Sequence, residues 1–187
     1  APTGGNQQGW RWLVVTDAEK RKTLAEIYRR GAGSYLEDEY QRALDDGRAQ
    51  DARVYDSARY LADHLQDVPV HVIPCIRVDH LPADPPRYAW PGLMGSILQA
   101  VWSFQLALRA RGLGSVFTTV HLRGADEAAQ LLGIPDGVMQ VALLPVAYTI
   151  GAEFKPAKRP PSDQITHWEH WDSDRNDLLA RQRPSPG

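Results

Sequence analysis

Apolar and polar residues alternate in Trp10-Arg11-Trp12-Leu13-Val14-Val15, and this period of two predicts a strand with Trp10 and Trp12 on one face. Thr16-Asp17-Ala18-Glu19 then reads as a capping box, which predicts a helix running to about Arg30 and ending near Gly31. A very polar helix is expected over residues 34–46. A third, over 51–66, sets Val54, Ala58, Leu61 and Leu65 on one face at helical spacing. Residues 68–78 read as a strand in which Pro74 predicts an edge or a bulge. Four prolines between Leu81 and Gly92 predict a rigid loop.

The strongest helical signal spans residues 93–111. It is apolar nearly all round, which places it centrally or at a subunit contact, and Gly112 follows as its stop. A strand over 115–122, a short helix over 125–132 and a turn at Pro135-Asp136-Gly137 come next. Residues 138–148 form a near-continuous apolar run, expected to be a strand buried on both faces. The order β-α-α-α-β-α-β-α-β resembles that of a dinucleotide-binding domain. Yet the turn after the first strand carries no glycine pattern, and its acidic residues would repel a pyrophosphate.

Composition narrows the picture. At 187 residues and 43% hydrophobic content, the chain is long enough for one domain with a real core. A net charge of −2 and a pI near 6.3 leave no electrostatic footprint for nucleic acid. No apolar run reaches the roughly 20 residues that span a bilayer, so no membrane partner is expected. With no secretion leader visible and Cys75 as the one cysteine, a reducing, cytoplasmic location is expected. Cys75 lies in an apolar strand and reads as a small buried hydrophobe. No Gly-x-Ser-x-Gly elbow points to a hydrolase. His167-Trp168-Glu169-His170 gathers two imidazoles and a carboxylate without a further ligand cluster, so no metal is expected. His64, His71, His80 and His121 are scattered and call for no special role, and Glu37-Asp38-Glu39 reads as a solvated helix face.

Three segments can carry chemistry. Pro2-Thr3-Gly4-Gly5-Asn6-Gln7-Gln8-Gly9 is a small-residue loop whose glycines allow close backbone approach and whose amide side chains each donate and accept. An ordinary pre-strand turn has the same composition. Gly112-Leu113-Gly114-Ser115-Val116-Phe117-Thr118-Thr119 brings bare backbone to a helix–strand junction, or is simply a glycine stop before a β-rich run. Finally, Leu143-Leu144-Pro145-Val146-Ala147-Tyr148 precedes Lys158-Arg159-Pro160-Pro161 and the pair His167-Trp168. A guanidinium matches phosphate oxygens in geometry and charge, though an arginine before Pro-Pro is usually solvated.

Together, and in this order, the three segments resemble the FMN-dependent nitroreductase family over residues 2–171. The first resembles its Pro-Ser-Gly-Gly-Asn-x-Gln-Pro-Trp loop, and the second its Gly-Leu-Gly-Ser followed by a Thr-rich strand. The third resembles its apolar strand and Arg-x-Pro-Leu-Glu-Glu stretch. The resemblance implies an α+β, nitroreductase-like fold: a central mixed sheet flanked by helices, with a C-terminal extension. It implies a single FMN-binding domain over residues 1–172, a polar tail over 173–187, and a homodimer with FMN at the subunit interface. It assigns Pro2, Thr3, Asn6 and Gln8 to the polar flavin edge or ribityl chain. Phe117, Thr118 and Thr119 would lie near flavin N5, with donation by backbone or hydroxyl, and Arg159 at the phosphate, with Lys155 and Lys158 in support.

NADPH or NADH would deliver hydride and depart, leaving room for a small-molecule electron acceptor such as a nitroaromatic or quinone. No side chain is assigned as an obligatory acid or base. The sequence departs from the family pattern at Thr3, where serine is usual, and at Gly9, where proline is usual. The family's upstream Arg-x-Ser-x-Arg element does not precede Ala1, so residues missing upstream are expected. A dehalogenase or flavin-fragmenting enzyme of the same superfamily, with residues 34–67 over the substrate, is the nearest alternative. A non-catalytic FMN-binding module is another.

Overall fold

Val72 and Ile73 are neighbours on one strand and enter two different hydrophobic cores, and the layers of the fold follow from that alternation. The computed structural model describes residues 1–151, 154 and 156–173. The chain divides into two compact units, Ala1–Ala152 and Glu153–Gly187.

In the first unit β2 (Val70–Arg77) is an interior strand. It pairs with β1 (Trp10–Val15) on one side and with β4 (Val138–Gln140) and β5 (Leu144–Tyr148) on the other. β3 (Leu113–Ser115) pairs with β5, which gives the order β1-β2-β5-β3. The expected mixed sheet is antiparallel at every pairing of these strands. The connection through α4, from β2 to β3, joins strands of like direction, but β5 inserts between them.

The described residues form five α-helices: α1 (Ala18–Ala32), α2 (Tyr35–Asp45), α3 (Ala49–His64), α4 (Ala89–Arg109) and α5 (Ala125–Leu132). Leu24, Ile27 and Tyr28 of α1, Ala62 of α3 and Ala128 of α5 pack with Ile73, Cys75 and Leu143 in one core. Leu93, Ile97 and Val101 of α4 pack with Val72, Ile76, Leu144 and Val146 in the other. Trp10 and Trp12 both turn to the α4 side, as their alternation predicts, and the Trp12 ring lies 5.1 Å from that of Phe104. None of the described helices is long and apolar enough to cross a membrane.

Several boundaries shift for identifiable reasons. The N-cap of α1 is Asp17, whose carboxylate accepts from the Lys20 amide at 2.9 Å, one residue beyond the predicted cap. The helix continues through Gly31 and turns at Gly33, where φ is +52°. Of the face Val54, Ala58, Leu61 and Leu65, Val54 is exposed and Leu65 is buried. The buried positions of α3 are Ala52 and Ala62, with Ala58 and Leu61 half-buried, because α3 packs on α2 as well as on the core. α4 begins inside the predicted loop, so Pro91 occupies its first turn, where a missing N–H costs nothing. It is buried along one face only.

The predicted strand over 115–122 stops early. After Ser115 the ladder with β5 reappears only at Thr118, which pairs with Leu143, and a 3-10 turn, Val120–Gly124, follows. The apolar run 138–148 divides into β4 and β5. Val72 pairs with Leu144 but Cys75 with Gln140, so the register slips by one residue between them. That bulge lies opposite Pro74, whose carbonyl accepts from the Val141 amide at 2.9 Å. Val141 to Leu144 are buried throughout, as expected.

In the second unit a 3-10 turn, Ser162–Ile165, precedes a tight turn in which the rings of His167 and Trp171 stack at 4.4 Å. Residues 174–187, which make up most of the expected tail, lie outside the described residues.

Candidate functional site

The loop before β1 is closed by its own polar groups. The Asn6 amide donates to the Thr3 carbonyl at 3.0 Å and the Gln7 amide to the Gly4 carbonyl at 3.2 Å, forming the 3-10 turn Gly4–Asn6. Gly5, Asn6 and Gln8 take φ values of 56°, 54° and 50°, a left-handed region that Gln8 enters at a cost of about 1 kcal/mol. Three bonds hold Gln8 there. Its amide donates to Thr3 Oγ1 at 3.1 Å, its Nε2 to Asn6 Oδ1 at 3.0 Å, and its carbonyl accepts from Arg11 at 3.2 Å. The Gly4 amide donates to Ser96 Oγ of α4 at 3.3 Å, which ties the loop to the helix. Pro2, Asn6 and Gln8 are exposed, and a β-carbon on Gly4 would meet nothing within 4 Å. Both side-chain oxygens act as acceptors within the loop, and the Thr3 hydroxyl and the Asn6 amide also each carry donor hydrogens.

The second segment turns its middle residue inward. The Thr118 amide donates to the Leu143 carbonyl at 3.2 Å, and its carbonyl accepts from the Leu143 amide at 2.8 Å. Its hydroxyl lies 2.9 Å from the Tyr28 hydroxyl inside the core. Burial pushes the Tyr28 phenol up, against a smaller opposing effect of that hydrogen bond. The donors expected of Thr118 are therefore committed within the fold, while Phe117 and Thr119 on either side stay exposed.

β1 and β3 are opposite edges of the sheet, three strand spacings or roughly 14 Å apart. The loop leads into one edge and the Phe117–Thr119 segment leaves the other. Among the described residues no hydrogen bond joins them. Arg159 belongs to the second unit, is exposed, and donates to the Lys158 carbonyl at 3.1 Å. Lys155 lies outside the described residues.

Sequence reasoning missed three features. Tyr28 and Ser96 serve the two segments from α1 and α4, and nothing in their local sequence marks them. His71 and His121, read as ordinary, are fully buried. His71 Nε2 pairs with the Leu65 carbonyl at 2.9 Å, but neither ring nitrogen of His121 has a hydrogen-bond partner of good geometry, although the Gln140 amide lies beside it. Burial holds both imidazoles below the usual histidine range, His121 at about 4, with the Gln140 amide opposing that shift and His71 adding to it.

The third feature is a cleft of about 670 Å³ where the end of α1 and the start of α2 face the Val120–Gly124 turn. Two ion pairs line it, Arg30 with Glu127 and Arg42 with Glu39. Arg123 donates to the Gly31 carbonyl at 2.6 Å, and Asp38 accepts from the Ser34 hydroxyl at 2.7 Å. Burial raises the Cys75 thiol to about 11, which leaves it unreactive. The described residues contain no group of three or more His, Cys, Asp or Glu side chains placed to hold a metal.

The Nitroreductase family model matches residues 1–148. Among solved structures, a BluB-like flavoprotein from Clostridium difficile 630 is 20% identical with a TM-score of 0.61, covering 91% of this chain and 84% of that one. An oxidized iodotyrosine deiodinase bound to FMN and 3-iodo-L-tyrosine is 23% identical with a TM-score of 0.63, over 86% of this chain and 78% of that one. NfrA2 of B. megaterium is 19% identical with a TM-score of 0.65; the match takes in 97% of this chain and 65% of NfrA2. At such identities the likeness is one of fold. No curated protein sequence matches.

Proposed function

Because the chain belongs to the nitroreductase family, we propose that it is an FMN-dependent oxidoreductase. In this reading it draws reducing equivalents from NADPH or NADH and passes them to a small-molecule acceptor such as a nitroaromatic or a quinone. The observation that carries the reading is the self-closed loop over residues 2–9, whose internal bonds use the Thr3 and Asn6 side-chain oxygens as acceptors beside an open Gly4. That polar set fits a flavin in kind, since the flavin edge alternates acceptors and donors. Bound FMN supplies the hydride-accepting centre and the electrons for the acceptor.

Within this proposal the chain binds and orients. Pro2, Thr3, Asn6 and Gln8 meet the polar edge or the ribityl chain, and Phe117 and Thr119 line the ring while Thr118 anchors them. Arg159 neutralises phosphate, a role that rests on its motif. A second copy completes the site, because one chain sets the two segments at opposite sheet edges. Leu98, Trp102 and Leu106 form an exposed apolar stripe on α4 that suits such a contact. A cytoplasmic setting, where reduced nicotinamides are abundant, belongs to the same reading.

The test is an absorption spectrum of the purified protein with added FMN. A bound flavin band bleached by NADPH or NADH is expected, and assays with nitroaromatics, quinones and halotyrosines then identify the acceptor. Protein that stays colourless after FMN is supplied ends the proposal.

A further inference from the structure

We propose that Tyr28 is a positioning residue: by holding Thr118 inward, it presents Phe117 and Thr119 to the flavin. The inference rests on the flavin reading above and adds a residue from outside the three motifs.

The hydroxyls of Tyr28 and Thr118 meet 2.9 Å apart although 90 residues separate them, and both residues are buried. A buried hydroxyl without a partner is costly, so each fixes the other. Phe117 enters the bridge at Thr118 and Thr119 leaves it into the next turn, with φ −123° and ψ 3°. With Thr118 fixed inward at that bridge, its two neighbours are the residues left exposed.

The backbone alone holds this segment weakly. Past Ser115 the ladder with β5 reappears at a single bridge, Thr118 to Leu143, before the Val120–Gly124 turn begins. The rest of the restraint comes from α1. Tyr28 and Gly31, three residues apart, share a face of that helix. Tyr28 takes the Thr118 hydroxyl, and Gly31 lets the Val120 carbonyl approach to within 2.6 Å of where a β-carbon would be. One helical face thus pins both ends of the Thr118–Val120 stretch.

Tyr28→Phe keeps the ring and its burial and deletes only the hydroxyl. Thr118→Val deletes the other partner at similar volume, and Thr118→Ser keeps it. FMN affinity is read by quenching of flavin fluorescence, and the flavin midpoint potential by titration of the loaded protein. Amide hydrogen exchange at residues 117–119 is read on the protein without added flavin.

Tyr28→Phe and Thr118→Val should each weaken FMN binding by about three- to tenfold and speed exchange at residues 117–119. The double variant should be no weaker than either single one, and Thr118→Ser should restore near-normal affinity. A merely structural role would lower the melting temperature while leaving affinity and potential of the folded protein unchanged. Folded Tyr28→Phe with wild-type affinity, potential and exchange overturns the role of Tyr28 alone. Wild-type protein that binds no FMN overturns the flavin reading and this inference together.

Discussion

A β-carbon on Gly31 would stand 2.6 Å from the carbonyl oxygen of Val120, so α1 meets the Val120–Gly124 turn at a distance that only glycine permits. The Gly31 carbonyl in turn accepts from Arg123 at 2.6 Å, which locks the same contact from the side of the turn. The turn so held begins directly after Thr118 and Thr119, and its position is set by a residue deep in the sequence of α1.

Gly31→Ala should therefore destabilise the protein. In an exposed helix the change would help by roughly 1 kcal/mol, since alanine is the better helix former. Here the obstructing atom is backbone and cannot rotate away, so a loss of about 1–3 kcal/mol is expected. Urea unfolding would show the midpoint fall at unchanged slope. A raised midpoint would mean that the turn can retreat.

Stability should fall on mild acidification, with His121 as a principal cause. Its imidazole titrates near 4 when folded and near 6.5 when unfolded, because burial without a good hydrogen-bond partner disfavours the charged ring. Between those values the unfolded chain binds more protons, so the folded state loses ground as pH drops from 6.5 toward 4. The full effect is about 3 kcal/mol, and His71, shifted in the same direction, adds to it. Melting curves at pH 7, 6 and 5 should fall in series for the wild type and fall less for His121→Gln. Parallel trends for the two proteins would assign the acid sensitivity elsewhere.

Much of this fold is legible in residue patterns, and the failures share a cause. The alternation Trp10-Arg11-Trp12 correctly puts both indoles on one face, and residues 140–146 of the apolar run 138–148 are buried as its composition implies, while Tyr148 at its end is exposed. Pro74 marked an edge or a bulge in its own strand, and a bulge is there, but the extra residue lies in the facing run 141–143, because a bulge is a property of the pairing and not of one strand. Gly31 reads locally as a helix stop. It is a packing glycine, and the stop lies at Gly33. At the candidate site the loop was recognisable from its glycines and amides. The inward turn of Thr118 was not, since the hydroxyl that captures it comes from Tyr28 in α1.

Thr3 tests whether the loop works through its shape. Its hydroxyl accepts from the Gln8 amide at 3.1 Å and helps keep Gln8 at a φ of 50°. Thr3→Ser preserves that acceptor and should bind FMN like the wild type. Thr3→Val removes it, frees Gln8 to relax, and should raise the FMN Kd about tenfold. The loop is exposed and outside both cores, so the melting temperature should stay within a degree or so of normal. Equal affinities for the two variants would show that the hydroxyl does not shape the site.

The exposed stripe on α4 makes the strongest demand on the assembly. Leu98, Trp102 and Leu106 recur every four residues, and Trp102 and Leu106 are 64% and 53% exposed on a helix whose opposite face builds a core. Trp102 still has most of its surface in water, and a large aromatic flanked by Leu98 and Leu106 is the kind of anchor that dominates an interface when covered. If a second copy covers the stripe, Trp102→Glu buries a charge in that contact and should weaken dimerisation by roughly thirtyfold or more. Sedimentation at micromolar concentration should find the wild type dimeric and the variant largely monomeric. FMN affinity should fall with the loss of the dimer, because each chain alone keeps the loop and the Phe117–Thr119 segment at opposite edges of its sheet. A monomeric variant that still holds FMN as tightly as the wild type would place the whole site within one chain. That outcome would remove the need for the second copy and leave the stripe to another partner.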